Sequence, residues 1–328
     1  MFSDVIGHSE IIDGLKNIIK SGRIANAYIF AGPSNIGKEF IAINFAKALN
    51  CKEVNDDCCD KCVSCRRIND GNHTDVRLIK PDGAKLKIEQ MRFLKRQGAY
   101  KALESEYKIY IIVDAEKMTP EAANSILKTL EEPSNGTIFI LLTQVYNALL
   151  PTIRSRCQLL RFSLVPQKVL LEALTKYPGM TEPKAKWLTI RSQGRPGKAL
   201  KMAGENVNSN KDEMSWVMAV LSQRDKSQLL NVFKKAEEMS KLDDSIDIVI
   251  SWYRDMLLVK QGCSEELLIH TNEKQKLEQL AQSYSGTEIE KLIDLALNLQ
   301  NLIQRNINPV LAMEVMMFNA LNTLTTRL

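Results

Sequence analysis

No apolar run of ~18 residues, the length a helix needs to cross a bilayer, occurs anywhere in the chain, so no membrane span is expected. The N-terminal MFSDVIGHSE lacks a basic stretch leading into an apolar one, so no secretory signal is expected either, and the protein is expected in the cytoplasm. Low-complexity segments and internal repeats are missing, which leaves an ordinary globular chain. Its charge is not extreme: a formal net charge of +5 and a pI near 8.7 are compatible with nucleic acid without requiring it. Lysine and arginine are scattered in a way that mainly solvates helix faces. The strand signal is also lost along the chain, because nothing beyond about Pro166 reads as β structure. A length of 328 residues suggests two or three domains.

What the first half does contain is an alternation of short strand-like runs and helical stretches. Ala27–Ala31 reads as a strand and Lys38–Leu49 as a helix; Lys108–Val113, closed by Asp114, and Thr137–Thr143 are continuous apolar runs of the kind buried on both faces of a sheet. Gln158–Phe162 reads as an edge strand. Strands separated by helices predict a parallel sheet with crossover helices. From 167 onward Gln167–Lys176 and Thr181–Ser192 read as short helices, followed by a break at Gly194–Gly197 and another short helix. The polar stretch 204–211 reads as a linker into an all-helical remainder. There Ile289, Leu292, Ile293, Ala296 and Leu299 share one helix face. Asn308-Pro309 is a cap and first-turn pair for a last helix that is apolar nearly all round over Val310–Leu321, as packing in an oligomer or a large private core would require.

Three motifs carry chemistry. Gly32-Pro33-Ser34-Asn35-Ile36-Gly37-Lys38-Glu39 follows a strand and opens a helix, the setting of a phosphate-binding loop. Its glycines let backbone amides approach phosphates and Lys38 reaches the β/γ oxygens; the competing reading is a tight turn that binds nothing. The Ser or Thr that should follow to hold Mg²⁺ is absent, replaced by Glu39. Asp114 ends the next buried strand, where a carboxylate orients the metal, but the following residue is Ala115 rather than the glutamate that polarises water. Glu116 comes one position late and is expected to point elsewhere. Each missing group is worth orders of magnitude in rate, so efficient hydrolysis is not expected.

The second motif is Cys51, Cys59, Cys62 and Cys65, four of seven cysteines in a chain where disulfides are disfavoured. Two overlapping C-x-x-C steps with a distal fourth thiolate fit tetrahedral zinc, and four thiolates leave no open position, so the site reads as structural. Free or redox-active thiols are the alternative reading, and Cys58 is an alternative ligand, although only Cys59 gives both two-residue gaps. Cys157 and Cys263 read as packing residues. The third motif, Ser155-Arg156-Cys157, says little by itself.

Together these motifs resemble the AAA+ clamp-loader family of bacterial DNA polymerase III along essentially the whole chain. Asn124–Pro133 (NSILKTLEEP) is similar to that family's N-A-L-L-K-T-L-E-E-P helix, Leu150–Cys157 (LPTIRSRC) to the segment bearing its arginine finger, and Asp4–His8 to the segment that packs on adenine. The resemblance implies an α/β AAA+ domain over 1–165, a RecA-like parallel sheet with a zinc module at 51–65. It also implies a small helical lid over 166–207 and an all-α collar for oligomerisation over 208–328. Gly194–Leu200 resembles the lid of the family's non-hydrolysing member, while Ser251–Leu258 and Asn306–Glu314 resemble its collar. It assigns Arg156 as a finger acting in trans, and assigns Val5, Ile6, Gly32, Pro33, Ser34, Asn35, Ile36, Gly37, Lys38, Glu39 and Asp114 to an ATP or ADP site. Zn²⁺ would sit on Cys51, Cys59, Cys62 and Cys65. The implied partners are gamma/tau and delta in a hetero-pentamer, the sliding clamp, and primed DNA held through its phosphates, with Lys85–Lys101 a candidate DNA surface. Glu39 and Ala115 fit the stationary subunit rather than the motor; a gamma/tau-like motor or another DNA-dependent AAA+ ATPase is the alternative.

Overall fold

The two continuous apolar runs lie side by side in the middle of a sheet. In the computed structural model, which describes residues 1–98, 100–133, 136–204, 237, 245–264, 267–270, 273–304 and 308–325, β3 (Lys108–Ile112) pairs with β4 (Thr137–Thr143) and β4 with β1 (Ala27–Ala31). β2 (Val76–Ile79) and β5 (Gln158–Arg161) form the edges, giving the order β2-β3-β4-β1-β5 with every pair parallel. The edge position expected for Gln158–Phe162 is the observed one. β2 had no sequence signal, because it is four residues long and carries exposed Arg77 and Leu78.

The strand period of two sorts the core side chains onto two faces. Tyr28, Phe30, Ile109, Ile111 and Ile140 join α1 (Ser9–Ser21) and α2 (Lys38–Asn50) in one cluster. Ile29, Tyr110, Ile112, Phe139 and Leu141 join α4 (Ile88–Gly98) and α5 (Pro120–Glu131) in the other. Each such fully buried side chain stabilises by roughly 1.5–3 kcal/mol. Between them, α3 (Val63–Asn69) follows the cysteine-rich loop, and α6 (Pro151–Arg154) precedes β5.

The chain divides into two compact units, Met1–Gly204 and Glu205–Leu328. Within the first, α7 (Gln167–Thr175), α8 (Glu182–Ser192) and α9 (Pro196–Gly204) gather around their own core of Val165, Leu170, Leu174, Ala185, Leu188 and Ala199. Of the expected linker over 204–211, Gly204 is instead the last residue of α9, and 205–211 lie outside the described residues, as do 306–307.

The second unit contains α10 (Ser245–Lys260), α11 (Lys274–Ser283), α12 (Gly286–Gln304) and α13 (Pro309–Thr325). Ile289, Leu292, Ala296 and Leu299 face its core as their spacing required, and Ile293 packs at the margin. Asn308 Oδ1 accepts the Val310 N–H at 3.0 Å, the expected cap. α13 turns Ala312, Met313, Met316 and Met317 inward and leaves Leu311, Val315 and Phe318 exposed. Among the described residues no helix is long and apolar enough to cross a membrane.

Candidate functional site

Because all strands are parallel, their C-terminal ends open on one side of the sheet, where ligands of such folds bind. The loop after β1 turns into α2 through Gly37, whose φ of 105° only glycine adopts without strain. Lys38 is 8% exposed and folds back into its own loop, donating to the carbonyls of Gly32 at 2.5 Å and Pro33 at 2.6 Å. Burial pushes its ammonium down to about 8, against the pull of nearby Glu116 and Asp114. Ser34, Asn35, Gly37, Lys38, Glu39 and Asp114 line a cavity of about 280 Å³, joined by Gln144 and Gly197. The Gly197 amide donates to the Asn35 carbonyl at 2.9 Å, and a Cβ at 197 would lie 2.8 Å from that oxygen. The lid and the phosphate loop therefore touch backbone to backbone.

Not every expected residue reaches this cavity. Ile36 is 1% exposed and belongs to the sheet core. Val5 packs against that core and Ile6 against the lid cluster, so the two straddle the lobes without lining the cavity. His8 holds this segment in place through Nε2, 3.1 Å from the Ile36 carbonyl.

Both carboxylates at the cavity carry lysine partners. Glu39 lies 2.9 Å from Lys80, and Asp114 lies 2.9 Å from Lys117. The residue after Asp114 is buried in the core: Ala115 is 1% exposed. Glu116 turns to accept the Gln144 N–H at 3.2 Å through Oε1. Lys117 was legible in retrospect, three residues after Asp114. Lys80 was not, since it arrives from the end of the unrecognised strand β2.

The cysteine cluster assembles between α2 and α3. The sulfurs of Cys51, Cys59, Cys62 and Cys65 all lie within 4.8 Å of one another, positioned to bind a metal ion. Cys59 and Cys65 sulfurs are 4.0 Å apart, against about 3.8 Å for two thiolates on one tetrahedral zinc with Zn–S near 2.3 Å. The Cys59 sulfur accepts the N–H groups of Cys62 at 3.2 Å and Lys61 at 3.4 Å, and the Cys62 sulfur that of Cys65 at 3.4 Å. The two bonds to the Cys59 sulfur favour its thiolate. Cys58 stands outside the group, near Asn44 and Asp60, and burial pushes its thiol up to about 11. Asp60, in the left-handed region at φ 52°, ties the loop to its flanks by accepting from Lys47 at 2.5 Å and Asn69 at 3.2 Å. Cys157 is a packing residue, half-buried against the second sheet cluster, its thiol pushed up to about 12 by burial.

Arg156 follows α6 on the surface. Its Nε donates to Glu131 Oε1 at 2.7 Å and its Nη2 to the same oxygen, while Nη1 reaches the Thr152 carbonyl at 2.8 Å and Ser155 Oγ at 3.2 Å. Arg154, by contrast, lies over the Tyr146 ring.

A five-stranded parallel sheet with a phosphate-type loop, a four-cysteine cluster, a helical lid and a separate helical unit define the clamp-loader class of AAA+ proteins. A family model described as "DNA polymerase III, delta subunit" matches residues 7–166, and one described as "DNA polymerase III, delta subunit, C terminal" matches residues 215–321. The DNA polymerase III subunit delta' of Bacillus subtilis (strain 168) is 31% identical over 302 residues, 90% of this chain and 90% of that protein. The chain belongs to the delta' family of DNA polymerase III subunits. Subunit tau relatives match less of their own length: that of Escherichia coli K12 is 33% identical over 72% of this chain but 38% of that protein. A solved gamma subunit-related protein of Thermotoga maritima aligns with 19% identity and a TM-score of 0.49, covering 95% of this chain and 99% of that one.

Proposed function

We propose that this chain is the stationary subunit of a cytoplasmic clamp loader, assembling with gamma/tau and delta and lending Arg156 to the nucleotide site of the adjacent motor subunit. Ala115 carries the reading: a buried methyl group stands where a hydrolysing relative needs its water-polarising glutamate. Glu39, engaged by Lys80, replaces the hydroxyl that would hold Mg²⁺. What remains is a lysine-bearing loop that accepts ATP or ADP without turning it over. Ser34, Asn35, Gly37, Lys38, Glu39 and Asp114 supply the phosphate side from the cavity wall, Ile36 supports that loop from the core, and Val5 and Ile6, beside the cavity rather than in it, would meet the adenine. The ion on Cys51, Cys59, Cys62 and Cys65 is zinc; its work is to fold residues 51–65, since structural metal binding is folding free energy. We divide the chain functionally into the α/β domain 1–165, the lid 166–207 and the collar 208–328. Leu311, Val315 and Phe318 on α13 give the collar an apolar surface for partner subunits.

An arginine placed beside a neighbour's γ-phosphate stabilises the charge that develops there, a contribution of roughly 10³–10⁵ in other NTPases. The complex spends that hydrolysis on seating the sliding clamp on primed DNA, which it holds by phosphate contacts sensitive to salt. Reconstitution with Arg156→Ala tests this. The variant subunit is expected to fold and assemble, while the complex loses DNA- and clamp-stimulated hydrolysis at one site and loads clamps poorly. Arg156→Lys restores little, because an ammonium lacks the planar fork; Arg154→Ala is the milder control. A complex bearing Arg156→Ala that hydrolyses ATP and loads clamps like wild type would make the subunit a scaffold.

A further inference from the structure

A finger that acts on a neighbour must offer a bare guanidinium edge, and that of Arg156 is not bare. One N–H of Nε and one of Nη2 are spent on Glu131 Oε1, and both of Nη1 on the Thr152 carbonyl and Ser155 Oγ. The guanidinium has five such bonds in a fixed plane, so it cannot keep this set and also face two phosphate oxygens. We propose that Glu131 is a holding residue: it keeps Arg156 folded against its own subunit until phosphate of the adjacent nucleotide competes it away. This rests on reading Arg156 as a trans-acting finger.

Three features support an exchange rather than a permanent pair. Glu131 is the last residue of α5, where the negative end of the helix dipole disfavours a carboxylate, so helix stability does not explain its presence. The side chains of the pair are 34% and 44% exposed, which keeps the attraction weak and screened by salt. The backbone beneath Arg156 is already fixed, with its N–H on the Ile153 carbonyl at 3.1 Å and that of Ser155 on Pro151 at 3.0 Å. Release therefore needs only side-chain rotation. A phosphate oxygen, more highly charged and met inside a closing interface, outbids one surface carboxylate.

The test uses the reconstituted clamp loader and the isolated subunit side by side. Glu131→Gln should raise kcat/KM for ATP at the finger-dependent site by about two- to fivefold, the range expected for losing one exposed ion pair. Glu131→Asp should stay near wild type. In the Arg156→Ala background Glu131→Gln should change nothing. In the isolated subunit, the Arg156 Nε–H resonance should be protected in wild type and broadened or exchanged in Glu131→Gln. A fall in kcat/KM towards that of Arg156→Ala would make Glu131 an orienting group for the engaged finger and overturn the holding role. An unchanged resonance with unchanged kinetics overturns it equally. If Arg156→Ala itself behaves as wild type, the finger reading fails first, and that outcome is distinct because only it leaves Arg156→Ala unaffected.

Discussion

Lys38 carries a charge into a place water barely reaches, where it donates to two carbonyls of its own loop with Glu116 and Asp114 nearby. An anion needs the protonated form, and burial holds the free ammonium near 8 instead of 10.5. ADP affinity should therefore be flat below pH 7 and fall by up to about tenfold per pH unit above 8, read by calorimetry from pH 7 to 9.5. Lys38→Arg, whose guanidinium stays charged, should flatten the profile. A wild-type profile with no slope would put Lys38 outside the binding interaction. The linkage to stability has a definite sign. Between about 8 and 10.5 the unfolded chain binds more protons at this position, so Lys38's contribution to stability rises with pH through that window.

At the scale of elements, the cysteine loop between α2 and α3 invites the sharpest comparison of single atoms. Cys62→Ser should lower metal from one equivalent to well under half and drop the melting temperature by several degrees, measured by metal analysis and calorimetry. Cys58→Ser should keep its metal, because that sulfur lies with Asn44 and Asp60. Loss of metal there and retention in Cys62→Ser would reverse the ligand assignment. Cys59 rather than Cys58 joins the cluster, as its two-residue gap to Cys62 requires, because such a gap lets successive N–H groups point back at the preceding sulfur. The buried strands β1, β3 and β4 were legible for a similarly local reason: with both faces covered, every position must be apolar. Strand β2 was not, since half its side chains meet water, and helix α4 hid behind the basic stretch Lys85–Lys101, whose inward Met91 and Leu94 are too few to set a pattern. Lys80 and Glu131 were invisible as site residues because their partners are brought to them only by the tertiary fold.

For the molecule as a whole, the expected behaviour on its own is inactivity. The isolated subunit should show negligible ATP turnover, with or without primed DNA; steady turnover near 1 s⁻¹ or faster, in the range of competent enzymes, would return the chain to the motor class. The architecture was readable at this scale from the loss of strand signal beyond Pro166 and from the helical face Ile289–Leu299. The contact between Asn35 and Gly197 was not, for it joins residues far apart in sequence through main-chain atoms alone. That contact has a mechanical meaning. With no side chain between the two segments there is little slack to absorb a displacement, so on the proposed reading a shift of the loop around a bound phosphate would pass to α9, the helix that leads the chain out of the first unit at Gly204. On the function proposed above, a site without hydrolytic chemistry would thereby keep a use as a gauge, its filling passed to the lid through Asn35 and Gly197.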